Sequence, residues 1–121
     1  MKIRIKGNSI RYRLSKSEVK QLCEKKVLEE TTQFLHNTFK YAIVPMNTDE
    51  LFADFKDNTI TLYFPEKETE TWYTSDLITY KNEVSLQHGE KLSLLLEKDF
   101  VCLDHTDEDQ SDNYPNPSKV C

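Results

Sequence analysis

Residues 2–14 alternate apolar and charged side chains at a period of two, in two runs, 2–6 and 10–14. A helix, repeating every ~3.6 residues, cannot sort such a pattern onto two faces, so this stretch must be extended. Ile3 and Ile5 interleave with Lys2, Arg4 and Lys6, and Ile10, Tyr12 and Leu14 interleave with Arg11 and Arg13. Gly7-Asn8 divides the two runs, and glycine supplies the positive φ that a tight hairpin needs. The opening therefore reads as a β-ribbon with an apolar face toward a core and a basic face toward solvent.

The ribbon leads into a helix expected over about residues 15–26. Ser15-Lys16-Ser17-Glu18 is a capping box, in which Ser15 and Glu18 exchange hydrogen bonds with the free backbone N–H groups of the first turn. Val19, Leu22 and Cys23 follow at helical spacing, and Lys25-Lys26 suits the negative end of the dipole. Residues 27–35 and 38–45 are rich in β-branched and aromatic side chains around a His36-Asn37 turn. A further hairpin is read in residues 51–55 and 59–64 around Asp57-Asn58, and a last pair in 77–86 and 92–98 around Gln87-His88-Gly89-Glu90. Pro65 with Glu66, Glu68 and Glu70 favours a helix start, so a second helix is expected over about 65–75. Thr69, Thr71 and Thr74 are poor helix formers, so that helix would depend on Trp72 packing it onto the sheet. These elements predict an α+β fold: one curved, mostly antiparallel sheet of about eight short strands with two helices. Residues 1–103 form a single domain in this reading, and 104–121 an acidic, Pro-containing C-terminal tail.

A chain of 121 residues suffices for one core without disulfides, burying roughly two thirds of its unfolded surface. There is no run of about 18 apolar residues for a membrane span, and Met1-Lys2-Ile3-Arg4-Ile5 lacks the apolar segment of a secretory signal. Cys23, Cys102 and Cys121 are an odd set without framework spacing, which points to reduced thiols and a cytoplasmic location. The net charge of −5 conceals a division. Residues 1–26 carry nine Lys/Arg against two acids, a balance of +7, whereas residues 27–121 carry seven against nineteen, a balance of −12. A two-signed surface follows, and a wholly basic nucleic-acid binder is disfavoured.

The opening MKIRIKGNSIRYRLSKSEV, VLEETTQF after the helix, and the ending EKDFVCLDHTDEDQSDNYPNP resemble an uncharacterised bacterial family of short proteins, a domain of unknown function. The resemblance spans nearly the whole chain. It implies a stand-alone domain of a bacterial cytosol, and it brings no activity, cofactor or catalytic residue.

Two constellations carry candidate chemistry. Lys2, Arg4, Lys6, Arg11 and Arg13 form the first, because arginine forks match phosphate oxygens and five cations on one pleated face suit an anionic ligand. The second is the tail, where Asp104, His105, Asp107 and Asp109 could ligate a hard cation, although the spacing of an EF-hand loop is absent. Five tail acids (Asp104, Asp107, Glu108, Asp109 and Asp112) also match the five ribbon bases in number, so the tail is a counterpart for the ribbon within one chain or between two copies. No coherent catalytic set emerges. Cys102 and His105 resemble a nucleophile and base by residue type only, Glu29 and Glu30 fall on opposite strand faces, and two glycines cannot make a phosphate loop. No cofactor is called for.

The expected function is thus a non-enzymatic binding or interaction module using the basic ribbon. Its partner would be an anionic ligand or another protein, with a homodimer as a further expectation and no membrane. Nucleic acid is not favoured, since Tyr12 falls on the apolar phase and leaves the basic face without stacking aromatics. The alternative is a small metal-assisted hydrolase or phosphate-handling enzyme that combines ribbon cations with tail carboxylates.

Overall fold

Gly7, at φ +55°, turns the chain back on itself between β1 (Lys2–Lys6) and β2 (Ser9–Leu14), as the alternating pattern requires. The computed structural model describes residues 1–100 and 111–115. The capping box is in place: Ser15 accepts from the third helical residue and the Glu18 carboxylate accepts from the Ser15 N–H at 2.9 Å. It opens α1 (Lys16–Cys23), which ends short of the expected residue 26 because Lys25 adopts a left-handed φ of 63°. There follow β3 (Leu28–Gln33), β4 (Thr38–Met46), β5 (Phe52–Lys56), β6 (Thr59–Pro65), β7 (Thr79–Ser85) and β8 (Lys91–Lys98). Asp57 and Asn58 both take positive φ between β5 and β6, the geometry of a two-residue hairpin turn.

Two expectations need correction. The strands do not make one curved sheet but two four-stranded sheets, ordered β1-β2-β8-β7 and β3-β4-β6-β5. Each consists of two antiparallel hairpins joined side by side by a parallel pair, β2 with β8 and β4 with β6. The class remains α+β and the pairing mostly antiparallel as expected, with one parallel pair in each sheet making both sheets mixed. The helix expected over 65–75 is replaced by two 3₁₀ turns, Glu66–Glu70 and Trp72–Thr74, interrupted at Thr71. Threonine-rich sequence offers too little propensity for a full α-helix, and Trp72 still anchors the segment, fully buried against Phe64 and Tyr80.

The two sheets share one core of Tyr12, Leu14, Leu28, Ile43, Ile60, Leu62, Phe64, Leu94 and Leu96, with Val19 and Leu22 of α1 and Trp72 packed into it. Because β2 runs parallel to β8 and β4 to β6, all four hairpin turns fall at one end of the sandwich. The helix, the 3₁₀ turns and the β4–β5 loop sit at the other. Among the described residues the helical end is filled by Val19, Leu22 and Trp72, whereas the turn end holds a cavity, which divides the molecule into surfaces of different character. Among the described residues no helix is long and apolar enough to cross a membrane.

Candidate functional site

The outward face of the first sheet is built in rows across four strands. Lys2 lies opposite Arg13, which neighbours Glu97, which neighbours Thr79. In the next row Arg4 lies opposite Arg11, followed by Leu95 and Lys81, and in the third Lys6 lies opposite Ser9, followed by Ser93 and Glu83. All five cations read from the sequence therefore share one face, joined by Lys81 from the far edge. Like charges directly opposite one another destabilise a sheet, and here two such pairs, Lys2 with Arg13 and Arg4 with Arg11, stand side by side.

One carboxylate offsets part of this repulsion. Glu97, on the central strand β8, accepts from Arg11 Nε at 2.7 Å and Nη2 at 2.6 Å, and from Arg13 Nε at 2.9 Å, all on the same oxygen. Its side chain is only 14% exposed, so these charge-assisted bonds are partly shielded from water. Lys2 pairs with Asp99 at 2.9 Å. Among the described residues Arg4, Lys6 and Lys81 have no ion pair. Between the strands Lys2, Ile3, Arg4, Arg11 and Arg13 line a depression of about 160 Å³. Four cations thus converge on one small concavity, and Lys6 stands one row away from it.

Local sequence reading places Glu97 and Asp99 on one strand face without marking them as catalytic, and it misses the bridge from Glu97 to Arg11 and Arg13. That bridge depends on β2 pairing with β8, and the signal available in the sequence was only the outward phase of Glu97 along a final strand. Glu29 and Glu30 behave as their phase implies: Glu29 pairs with Lys40 on one side at 3.3 Å, and Glu30 reaches the Met1 amino group on the other at 3.2 Å.

The candidate metal ligands Asp104, His105, Asp107 and Asp109 lie outside the described residues, as do Cys102 and Cys121. Among the described residues no three His, Cys, Asp or Glu side chains are grouped to hold a metal ion. One tail acid is described, and it sits at the start of α1. Asp112 accepts from the Ser17 hydroxyl, its carbonyl accepts from the Lys16 N–H at 2.9 Å, and the Tyr114 N–H reaches the Asp99 carbonyl at 2.8 Å. Tyr114 then packs edge-on against Phe100 and lies under the amines of Lys98 and Lys16, 5.2 and 5.8 Å from its ring centre. Lys98 is itself buried, bonded to the Ser75 carbonyl at 2.8 Å, and burial lowers its pKa.

The Asp112 contact sets a pH dependence. Hydrogen bonds from the Ser17 hydroxyl, and then from Ser15, hold its carboxyl below the ordinary range. A depressed carboxyl contributes stability that is complete above its unfolded value near ~3.9 and is lost as pH falls through the folded value. Asp112→Asn is expected to lower stability by about 1 kcal/mol at neutral pH, the size of a helix cap. In acid melts the two proteins should converge. A constant difference at every pH would show that the carboxylate is not what secures residues 111–115.

A family model described as a family of unknown function (DUF7009) matches residues 1–118. No curated protein and no solved structure matches the chain. The chain belongs to that family.

Proposed function

We propose that this family member is a binding module of the bacterial cytosol, and that the outer face of its β1-β2-β8-β7 sheet receives an anionic, oxyanion-bearing ligand. The observation that carries this reading is the cradle of Lys2, Arg4, Arg11 and Arg13 around one depression of about 160 Å³. Two like-charge pairs lie directly across the strands; Glu97 bridges Arg11 and Arg13 and Asp99 meets Lys2, while Arg4 has no ion pair among the described residues. An oxyanion seated there converts cross-strand repulsion into charge-assisted hydrogen bonds. The outer rows contain no aromatic side chain, so successive bases find no platform for stacking, and a compact phosphate fits better than a single strand. Among the described residues the ribbon cations are met by Glu97, which takes Arg11 and Arg13, and by Asp99, which takes Lys2, while Asp112 occupies the helix start.

Thermal melts with inorganic phosphate, pyrophosphate and an oligonucleotide test the assignment. A ligand at 100 times its dissociation constant stabilises the folded state by ~2.7 kcal/mol, which reads as a clear rise in melting temperature. Arg4→Glu removes a cation that has no ion pair among the described residues, and it should abolish the rise while leaving the ligand-free melt nearly unchanged. The double variant with Arg13→Glu should also lose the rise, from a lower ligand-free melt because Arg13 gives up its bond to Glu97. An unmodified protein indifferent to every anion, or an undiminished rise in Arg4→Glu, would remove the proposed contact surface.

A further inference from the structure

We propose that the turn end of the sandwich is the contact surface of a symmetric homodimer, in which the β3–β4 hairpin tip of each copy fills an apolar mouth in the other. The mouth is a cavity of about 390 Å³ between the two sheets, lined chiefly by Ile5, Ile10, Phe39, Phe55, Ile60 and Leu92. These are inward-phase residues at the ends of their strands, where among the described residues no α-helix caps the core. Beside the mouth, and continuous with it through Phe39, stands the hairpin tip Phe34-Leu35. Leu35 is 89% exposed, Phe55 65%, Phe34 58% and Ile5 56%.

Hairpin turns ordinarily carry polar residues, so a projecting Phe-Leu tip is out of place in a monomer. From those exposed fractions, the four side chains leave roughly 500 Å² of apolar surface open around one end, the scale at which a patch marks an interaction site. A two-fold axis needs a self-complementary surface, and a knob beside a hole on the same molecule supplies one: each copy gives its tip and receives the other's. With a polar rim added, this area approaches the ~800 Å² per partner of a stable complex.

The rim identifies a second copy as the occupant. Lys6 and Lys56 stand at the turns with Asp57, and Asp54 adjoins the mouth; among the described residues none of the four has an ion pair. Both signs are thus open at once. An identical partner rotated by half a turn can answer both, whereas a partner of single sign can answer only one.

Sedimentation or light scattering of the full chain over a dilution series tests this. The unmodified protein should rise from the mass of one 14.3 kDa chain to that of two. Leu35→Glu and Phe55→Glu should each halve the mass at the concentrated end, with far-UV circular dichroism unchanged because both positions are more than half exposed. Leu35→Ser should do the same without adding charge. A single-chain mass throughout, a mass above two chains, or a two-chain mass retained in any of the three variants would overturn the proposal. Arg4→Glu lies on another surface and should remain dimeric, so this result and the anion test stand or fall separately.

Discussion

Replacing Trp72 by alanine is expected to destabilise the protein by about 3–5 kcal/mol, the range for truncating a large buried aromatic. Trp72 is fully buried, lies tilted against Phe64 with ring centres 5.5 Å apart and meets Tyr80 edge-on at 5.1 Å. Its indole N–H donates to the Leu77 carbonyl at 2.7 Å, and the buried Lys98 amine lies 5.8 Å from its ring. A three-residue 3₁₀ turn has weak intrinsic preference, so the segment that carries Trp72 depends on such packing together with hydrogen bonds such as that from Lys98 to the Ser75 carbonyl. Trp72 is thus the largest side chain tying the crossing between β6 and β7 to the core at the helical end of the sandwich. Against a typical total of ~5–15 kcal/mol, the loss brings the variant near its unfolding threshold. Urea titration followed by circular dichroism is the suitable measurement, since the chain has one Trp and the variant has no indole fluorescence. A fall in midpoint with an unchanged slope is expected. Trp72→Phe should lose less, as it keeps the ring contacts and gives up the hydrogen bond. A loss below ~1 kcal/mol for alanine would mean that the helical end is held by the strands and α1 without this anchor.

The features legible in the sequence are those set by neighbours along the chain. Alternation over residues 2–14 determines which side chains face inward, and Tyr12 and Leu14 are indeed fully buried while Lys2, Arg4 and Lys6 are exposed. Turn chemistry places the hairpins, as at Gly7 and at Asp57-Asn58, and the capping box places the start of α1. What alternation cannot specify is which strand lies beside which. The contact of Arg13 with Glu97 spans 84 residues, and nothing local to either residue announces it. The same limit hid the division into two sheets, since a parallel pair between two hairpins leaves no turn between its strands to read. Propensity also misjudged residues 65–75: proline and acids correctly marked a helical start, and the threonines that weakened the prediction reduced it to 3₁₀ turns. The apolar mouth depends on the common direction of four hairpins, a property of topology alone. Phe34-Leu35 looked like the end of a strand in sequence, and only its position at the turn end gives its exposure a meaning.

Substituting Glu97 by glutamine is expected to do two things of opposite consequence for the basic face. The side chain keeps its size and can still accept a hydrogen bond, but the charge that draws Arg11 and Arg13 together is removed. Bonds to a charged group contribute about 1.5–3 kcal/mol each in sheltered settings, and the arginines here are partly exposed, at 34% and 40%. A net loss of about 1–3 kcal/mol is therefore expected in the absence of ligand, larger at low salt because the cross-strand cations then repel unscreened. For an incoming anion the sign reverses. Glu97 competes with the ligand for the same guanidinium donors, so its neutralisation frees Arg11 and Arg13 and adds one positive charge to the field of the cradle. The rise in melting temperature produced by phosphate should accordingly be greater in Glu97→Gln than in the unmodified protein, recovering part of the stability lost. Chloride at equal ionic strength separates general screening from occupation of the depression. A phosphate response equal to or smaller than that of the unmodified protein, or one that chloride reproduces in full, would show that the carboxylate and the anion do not share those donors. Lys2, Arg4, Arg11 and Arg13 would then be an ordinary solvated strand face.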